Sequence, residues 1–197
     1  FISKHGYVSP SNMAFYNNDR INPYAYGEGS KFYWIRPAAV GGKSLIWSRW
    51  VFRWGPDDFA ANKREGVDGD WPIRYQELAP WYSYVERYIG VSGSRDNLPY
   101  LPDSDFQPPM PMNIAEKWFK QRLETQFPGR RLINARLANL TEDRPDQNRT
   151  KCQFRNQCAS GCAFGAYFST QAVTLPPARA TGRLTLRSDA VVTSLDY

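Results

Sequence analysis

The sequence is poor in the features that mark several protein classes. None of its 197 residues belongs to a run of about eighteen apolar residues, the length that a membrane-spanning helix needs. Its first residues lack the pattern of a charged region followed by an apolar core that marks a signal peptide. Histidine occurs once, at His5, so no Ser/His/Asp catalytic arrangement is supported. The glycine fingerprint G-x-G-x-x-G, which marks dinucleotide-binding folds, does not occur.

The composition is that of a globular protein with many aromatic residues. Hydrophobic residues make up 42% of the chain, which is long enough to bury a core. The formal net charge of +6 comes from Lys and Arg spread along the chain, so we expect no nucleic-acid partner. The seven Trp, twelve Tyr and eleven Phe suit either core packing or the lining of a ligand site.

The sequence predicts three helices, two of them from apolar periodicity. A three-to-four spacing of apolar residues predicts a helix over 80–88, and a second over 114–127 that the Pro128-Gly129 pair ends. A third helix is expected over 170–180, where Pro176-Pro177 would bend or shorten it.

Alternation of apolar and polar residues predicts a short strand over 131–138, and two further short strands are expected over 183–187 and 190–195, around a Ser-Asp turn. The Tyr-, Asn-, Gly- and Pro-rich residues 1–35 indicate extended loop with at most one short strand. The expected fold class is therefore α/β or α+β, with more irregular loop than a compact independent domain of this size carries.

All three cysteines lie within eleven residues, at Cys152, Cys158 and Cys162. An odd count argues against a complete set of disulfides, and a structural zinc site wants four ligands. Three thiolates can instead hold an iron–sulfur cluster, for which cysteine is the usual ligand. The spacing alone leaves a cluster, unremarkable thiols, and one disulfide with a spare thiol all open.

A pair of glycines follows an apolar stretch at Gly41-Gly42-Lys43-Ser44. Paired glycines let backbone amides approach phosphate oxygens closely, and the Ser44 hydroxyl could add a donor. A structural turn is the alternative interpretation of the same residues.

Several stretches in order resemble one family, the glucose–methanol–choline (GMC) FAD-dependent oxidoreductases. WIRPAAVGGKSLIWSRWVFRWGPDDF resembles the loop near the flavin, and WPIRYQELAPWYSYVERYIGVSG the segment after it. CQFRNQCASGCAFGAYFSTQAVTLPPARATGRLTLRSDAVVTSL resembles the stretch that leads to the strand beside the FAD adenine. The resemblance runs from about Phe32 to the end, and it is strongest to the bacterial sugar dehydrogenases, such as glucose, fructose, gluconate and glucoside 3-dehydrogenase flavoprotein subunits.

The resemblance implies a set of site residues. Gly41, Gly42 and Ser44 would contact FAD, with Trp47 at the end of the same motif. Val192 would contact the adenine through its backbone, with Val191 as a one-residue alternative, and Ile46 replaces the flavin-linking His of a few relatives. In the subgroup the Cys-x5-Cys-x3-Cys pattern holds a 3Fe–4S cluster, which would place Cys152, Cys158 and Cys162 as metal ligands.

The resemblance also implies an organisation. Residues 1–110 would form the FAD-proximal loop region and the start of the FAD-binding domain, 111–150 part of the substrate side, and 151–197 the Cys-rich return to that domain. The N-terminal Rossmann βαβ unit and the C-terminal segment with the catalytic base would lie outside the chain. We therefore expect an internal fragment, a partial FAD-binding domain that is inactive in isolation, and no catalytic residue within it.

On this interpretation the parent enzyme oxidises a sugar or sugar-like alcohol by hydride transfer to flavin. Electrons would leave through the cluster to a cytochrome c or quinone-linked acceptor, with a small subunit as partner. A bacterial periplasmic or membrane-associated location is expected, with a cytoplasmic one as alternative. Two rival functions are a GMC alcohol oxidase or dehydrogenase with purely structural thiols, and a non-enzymatic carbohydrate-binding module.

Overall fold

The structure is a computed structural model that describes residues 8–30 and 35–196. His5 and the start of the family-like stretch at Phe32 lie outside the described residues. Within them, no helix is long and apolar enough to cross a membrane. The five α-helices described are α1 (Pro56–Glu65), α2 (Tyr75–Ile89), α3 (Ile114–Gln126), α4 (Thr170–Val173) and α5 (Leu175–Ala180). Single 3₁₀ turns lie at Met13–Phe15, Gly42–Leu45, Pro145–Gln147 and Cys158–Ser160.

Helix α3 confirms the helix predicted over 114–127, apart from its last residue. Its start is fixed by a capping box, in which the Asn113 side chain accepts from the Glu116 amide at 2.9 Å. The Glu116 carboxylate accepts in turn from the Asn113 amide at 2.7 Å. This reciprocal pair satisfies two amides that the helix itself cannot use.

Helix α2 begins five residues before the predicted start at Pro80. The amide of Arg74 donates to the Glu77 carboxylate at 2.7 Å, which caps the helix there. Pro80 lies inside the helix, where it removes one backbone hydrogen bond without ending it. The helix ends at Gly90, whose φ of 79° is left-handed.

Helix α1 was not predicted, because the apolar spacing of its residues is weak. Local chemistry starts it: Pro56 takes the first helical position, and the Gly55 amide donates to the Asp58 carboxylate at 2.6 Å. Phe59 is its one buried residue. A single apolar anchor gives too little periodicity for a sequence pattern to reveal the helix.

The helix predicted over 170–180 is two short helices, α4 and α5. They are interrupted at Thr174, immediately before Leu175 and the pair Pro176-Pro177. A proline lacks the amide hydrogen that would continue the hydrogen bonding of the preceding turn, so the break falls where proline enters. The expected bending or shortening at this position is confirmed.

The strand predictions over 131–138, 183–187 and 190–195 are wrong. The described residues contain isolated β-bridges and no extended strand. All residues from 181 to 196 are exposed, so no packed neighbour supports a strand there. In the first of the three segments, backbone pairing is confined to its last residues, where Leu137 bridges both Trp50 and Ser92. The assignment to a partial α/β FAD-binding domain stays a prediction.

The chain divides into two compact units. The first consists of Phe1–Trp47, Asn156–Gly165 and Ser169–Tyr197, and the second of Ser48–Arg155 and Ala166–Phe168. The predicted functional division at residues 110 and 150 stays a prediction.

The second unit is organised around residues 136–140. The Val51 amide donates to the Arg136 carbonyl at 2.9 Å, and the Leu137 amide to the Ser92 carbonyl at 2.9 Å. Ala138 and Leu140 in this segment are fully buried. Bonds on both edges and apolar side chains between them make this segment the centre of the unit.

Candidate functional site

The Gly41–Ser44 segment forms a tight turn in the first unit. Both glycines have a left-handed backbone, with φ of 108° at Gly41 and 53° at Gly42. The Gly42 amide donates to the Ala39 carbonyl at 2.9 Å, and a 3₁₀ turn runs on from Gly42 to Leu45. Two successive left-handed residues strongly favour glycine, because a Cβ is disfavoured in that region.

The two glycines face different surroundings. A Cβ on Gly41 would lie 3.2 Å from Cγ of Leu45, which is buried, so Gly41 packs against the interior of its unit. A Cβ on Gly42 would meet no atom within 4 Å. The turn is therefore anchored at Gly41 and open at Gly42, where a ligand can approach the backbone closely. This open backbone fits the FAD-contacting role that the resemblance implies.

The Ser44 hydroxyl lies at the centre of a compact set of hydrogen bonds. It donates to the Gly41 carbonyl at 2.5 Å and accepts from the Thr170 amide at 3.0 Å. The Thr170 hydroxyl lies 3.1 Å from the Ser44 oxygen and 3.2 Å from the Gly41 carbonyl. The start of α4 therefore holds the glycine turn, an interaction between residues 126 positions apart in the chain.

Sequence reasoning missed Thr170 as a site residue. Its only sequence signal is its place at the start of a predicted helix, where threonine is common and carries no functional meaning. The adjacent Ser169 accepts from the Ala172 amide at 3.1 Å and caps α4. Contact with Ser44 depends on tertiary structure, which residue spacing does not encode.

The remaining predicted flavin residues have different surroundings. Trp47 is half-buried, and its amide donates to the Lys43 carbonyl at 3.0 Å, so it continues the glycine turn. Val192 and Val191 are 77% and 89% exposed, within the exposed residues 181–196. The structure thus joins Gly41, Gly42, Ser44 and Trp47 in one local turn, and Val192 lies on an exposed part of the same unit.

The three cysteines are free thiols and half-buried. The Cys152 amide donates to the Leu140 carbonyl at 2.9 Å, and the Phe154 amide donates to the Cys152 sulfur at 3.4 Å. Phe154 has a left-handed φ of 52°, a conformation rare for an aromatic residue, which turns its amide toward the sulfur.

Cys158 and Cys162 belong to the other unit from Cys152. Cys158 opens a 3₁₀ turn that Gly161 ends, and the Gly165 amide donates to the Cys162 carbonyl at 3.2 Å. Over residues 8–30 and 35–196, no group of three or more His, Cys, Asp or Glu side chains is arranged to hold a metal ion. The three thiols have the chemistry that an iron–sulfur cluster requires.

A polar cavity that the sequence did not predict lies in the second unit. It has a volume of about 410 Å³, within the usual range for small-molecule sites. At its rim Asp105 pairs with two arginines, Arg87 at 2.9 Å and Arg95. Two further lining residues are paired outside the cavity, Glu86 with Arg53 and Arg144 with Asp146.

Comparison with known proteins gives three partial relatives, and the chain matches no protein-family model. It is 28% identical over 131 residues to "Fructose dehydrogenase large subunit" of Gluconobacter japonicus, which covers 66% of this chain and 24% of that protein. It is 35% identical over 89 residues to "2-methyl-1,2-propanediol dehydrogenase" of Mycolicibacterium austroafricanum, covering 43% and 16%. It is 27% identical over 157 residues to "Paromamine 6'-oxidase" of Streptomyces fradiae, covering 76% and 27%.

These relatives are two dehydrogenases and an oxidase, so they support an oxidoreductase role for this chain. The alignments cover 24%, 16% and 27% of the relatives' own lengths. The chain therefore corresponds to about a quarter or less of each of them.

Proposed function

We propose that this chain is part of an FAD-dependent dehydrogenase that oxidises a sugar or a sugar-like alcohol. The observation that carries the proposal is the glycine turn: Gly41 and Gly42 in left-handed conformations, open at Gly42 and tied to Thr170 through Ser44. FAD, when bound, would supply the acceptor of the hydride, which carries the two electrons of the oxidation. The printed names of the relatives, which refer to fructose, a diol and paromamine, support an alcohol or sugar substrate.

The chain's own residues would contribute to binding the cofactor. The turn presents backbone at Gly42 without side-chain obstruction, which suits close approach by a phosphate or by the flavin. Trp47, half-buried at the end of the turn, supplies an aromatic surface beside it. Val192 would meet the adenine through its backbone, as the resemblance implies. No general base is assigned within the chain.

A 3Fe–4S cluster on Cys152, Cys158 and Cys162 forms the second part of the proposal. Its support is the number of thiols, the absence of disulfides among them, and the backbone amide that Phe154 directs at the Cys152 sulfur. Hydrogen bonds to sulfur tune the reduction potential of such clusters. A cytochrome c or quinone-linked acceptor, and a small subunit, would then be the partners. The printed name "Fructose dehydrogenase large subunit" supports a complex of several subunits.

A related enzyme without a cluster is the second candidate. The observation that favours it is that the described residues hold no group of metal-ligating side chains. In that case the three thiols have a structural role, and the oxidoreductase passes its electrons elsewhere.

The experiment that tests the function is anaerobic flavin reduction in the full polypeptide that carries this chain. Fructose, 2-methyl-1,2-propanediol and paromamine are added separately, and the absorbance of the oxidised flavin at about 450 nm is followed. Loss of the band with any of the three supports the dehydrogenase. A bound flavin that none of these substrates reduces contradicts the proposed substrate class.

A further inference from the structure

We infer that Ser44 and Thr170 act as a hydroxyl pair that fixes the shape of the Gly41–Ser44 turn, and that Ser44 is not itself a hydrogen-bond donor to the cofactor. The inference rests on the proposed flavin function and changes the role of one residue within it. Thr170 becomes a positioning residue of the site, and the side of the turn that faces the ligand is the backbone at Gly42.

The first step is the bonding capacity of the Ser44 hydroxyl. A serine hydroxyl has one hydrogen to donate and two lone pairs that accept. The hydrogen is used on the Gly41 carbonyl at 2.5 Å, and one lone pair accepts from the Thr170 amide at 3.0 Å. The Thr170 hydroxyl lies 3.1 Å away, within reach of the other lone pair. Ser44 therefore has no hydrogen left for a phosphate or flavin oxygen, both of which need a donor.

The second step is the rigidity of Thr170 itself. It is half-buried, follows the capping residue Ser169, and its carbonyl accepts from the Thr174 hydroxyl at 3.1 Å. Its own hydroxyl reaches the Gly41 carbonyl at 3.2 Å as well as Ser44. The turn is thus held by hydrogen bonds from the first residue of α4.

The third step is what the pair achieves. Two successive glycines lose more backbone entropy on ordering than other residues, so this turn needs external bonds to keep one conformation. A turn already ordered before binding costs less to occupy, which raises affinity. Loss of the pair should therefore weaken cofactor binding without removing any atom that touches the cofactor.

The test is a double-mutant cycle on FAD affinity in the full polypeptide, with Ser44→Ala, Thr170→Val and the double variant. If both residues act through one pair, each single change weakens FAD binding about five-fold and the double variant falls well short of the product of the two losses, because the contact between the two hydroxyls is lost in either single variant. Additive losses, about 25-fold in the double variant, would mean that the two hydroxyls act independently and not as a pair, and would overturn the inference.

Two further variants separate positioning from general destabilisation. Thr174→Val removes a hydroxyl from the same helical segment, one that bonds the Thr170 carbonyl instead of the turn. We expect it to leave FAD affinity within about two-fold of wild type, and Thr170→Ser to restore the affinity that Thr170→Val loses. Equal losses in Thr174→Val and Thr170→Val would contradict a positioning role.

A measurement on protein without flavin tests whether Ser44 and Thr170 order the turn, and its result does not depend on the proposed function. In cofactor-free protein, amide hydrogen exchange of a peptide spanning 41–47 should speed up about five-fold in Ser44→Ala and Thr170→Val, and stay unchanged in Thr174→Val. Unchanged exchange in Thr170→Val would contradict the inference. A wild-type protein that binds no FAD would instead contradict the proposed function, and the exchange result would still test the role of the hydroxyl pair.

Discussion

The Arg53 guanidinium and the Glu86 carboxylate meet 2.6 Å apart inside the second unit, with side chains only 2% and 1% exposed. The same guanidinium donates to the Tyr75 hydroxyl at 3.1 Å and the Ser83 hydroxyl at 2.8 Å. Burial lowers the pKa of Arg53, but the hydrogen bonds that its guanidinium donates to Glu86 and Tyr75, with the charge of Glu86, outweigh burial and raise that pKa overall. Residues that sequence patterns treat as surface charge thus tie α2 to the extended segment before α1.

Replacing Glu86 with Ala should destabilise the second unit by about 3–5 kcal/mol, because it leaves the Arg53 charge buried without its partner. The measurement is urea-induced unfolding followed by tryptophan fluorescence. The control is Glu124→Ala, which breaks a pair with Lys120 at 3.8 Å between side chains each 36% exposed. We expect about 0.5 kcal/mol or less there. Equal costs in the two variants would show that the buried pair is not what stabilises the unit.

Replacing Gly90 with Ala should cost about 2–4 kcal/mol, since a left-handed residue and an overpacked contact are penalised together. A Cβ at Gly90 would lie 2.2 Å from Cδ2 of Leu140, a fully buried side chain. Gly66→Ala is the matched control, because Gly66 ends α1 with φ of 67° and no atom within 4 Å of a Cβ. Its cost should be about 1–2 kcal/mol, from backbone strain alone. Thermal unfolding of both variants compares them; a cost at Gly90 no larger than at Gly66 would contradict the packing argument.

Replacing Gly42 with Ala should weaken FAD binding at least about ten-fold, because a methyl group would occupy the open face of the turn. Gly29→Ala is the matched control in the same unit, with φ of 77° and likewise no atom within 4 Å of a Cβ. Both changes impose similar backbone strain, and only the first lies at the proposed site. Flavin fluorescence titration measures the affinities. Equal FAD affinities in the two variants would show that Gly42 does not contact the cofactor.

Anaerobically purified protein should contain about three iron atoms and four acid-labile sulfides per chain if the cluster is present. Cys158→Ser should lower both contents strongly, since an alcohol is a poor replacement for a soft thiolate ligand. Iron and sulfide assays measure the contents, with Ser160→Ala as a control for changes in the same turn. Absence of iron from the wild type would favour the related enzyme without a cluster.

The sequence allowed helix prediction where the chemistry is local. Asn113 and Glu116 cap α3 within four residues, and prolines after Thr174 divide the last helical segment. Prediction failed where one element depends on another. Residues 183–187 and 190–195 have strand-like sequences, yet in the described structure these residues are exposed and bridge to no neighbour. A strand-like sequence shows only that a segment could pair with a neighbour, and a strand forms only where a second strand is available.

In the candidate site, too, local features could be predicted from the sequence and contacts between distant residues could not. Gly41 and Gly42 could be found from sequence because paired glycine marks a backbone that other residues rarely adopt. Thr170 could not be found, because its contacts with Ser44 and Gly41 join distant parts of the chain. The hydroxyl of Ser44, expected to face a ligand, is engaged inside the turn.

The measurement that tests the central claim most directly is the flavin content of the full polypeptide that carries this chain. Purified protein denatured by heat should release about one FAD per polypeptide, measured by its absorbance at about 450 nm. The Gly42→Ala variant should retain much less bound FAD than Gly29→Ala. No bound FAD in the wild type, and no uptake when FAD is added, would contradict the account.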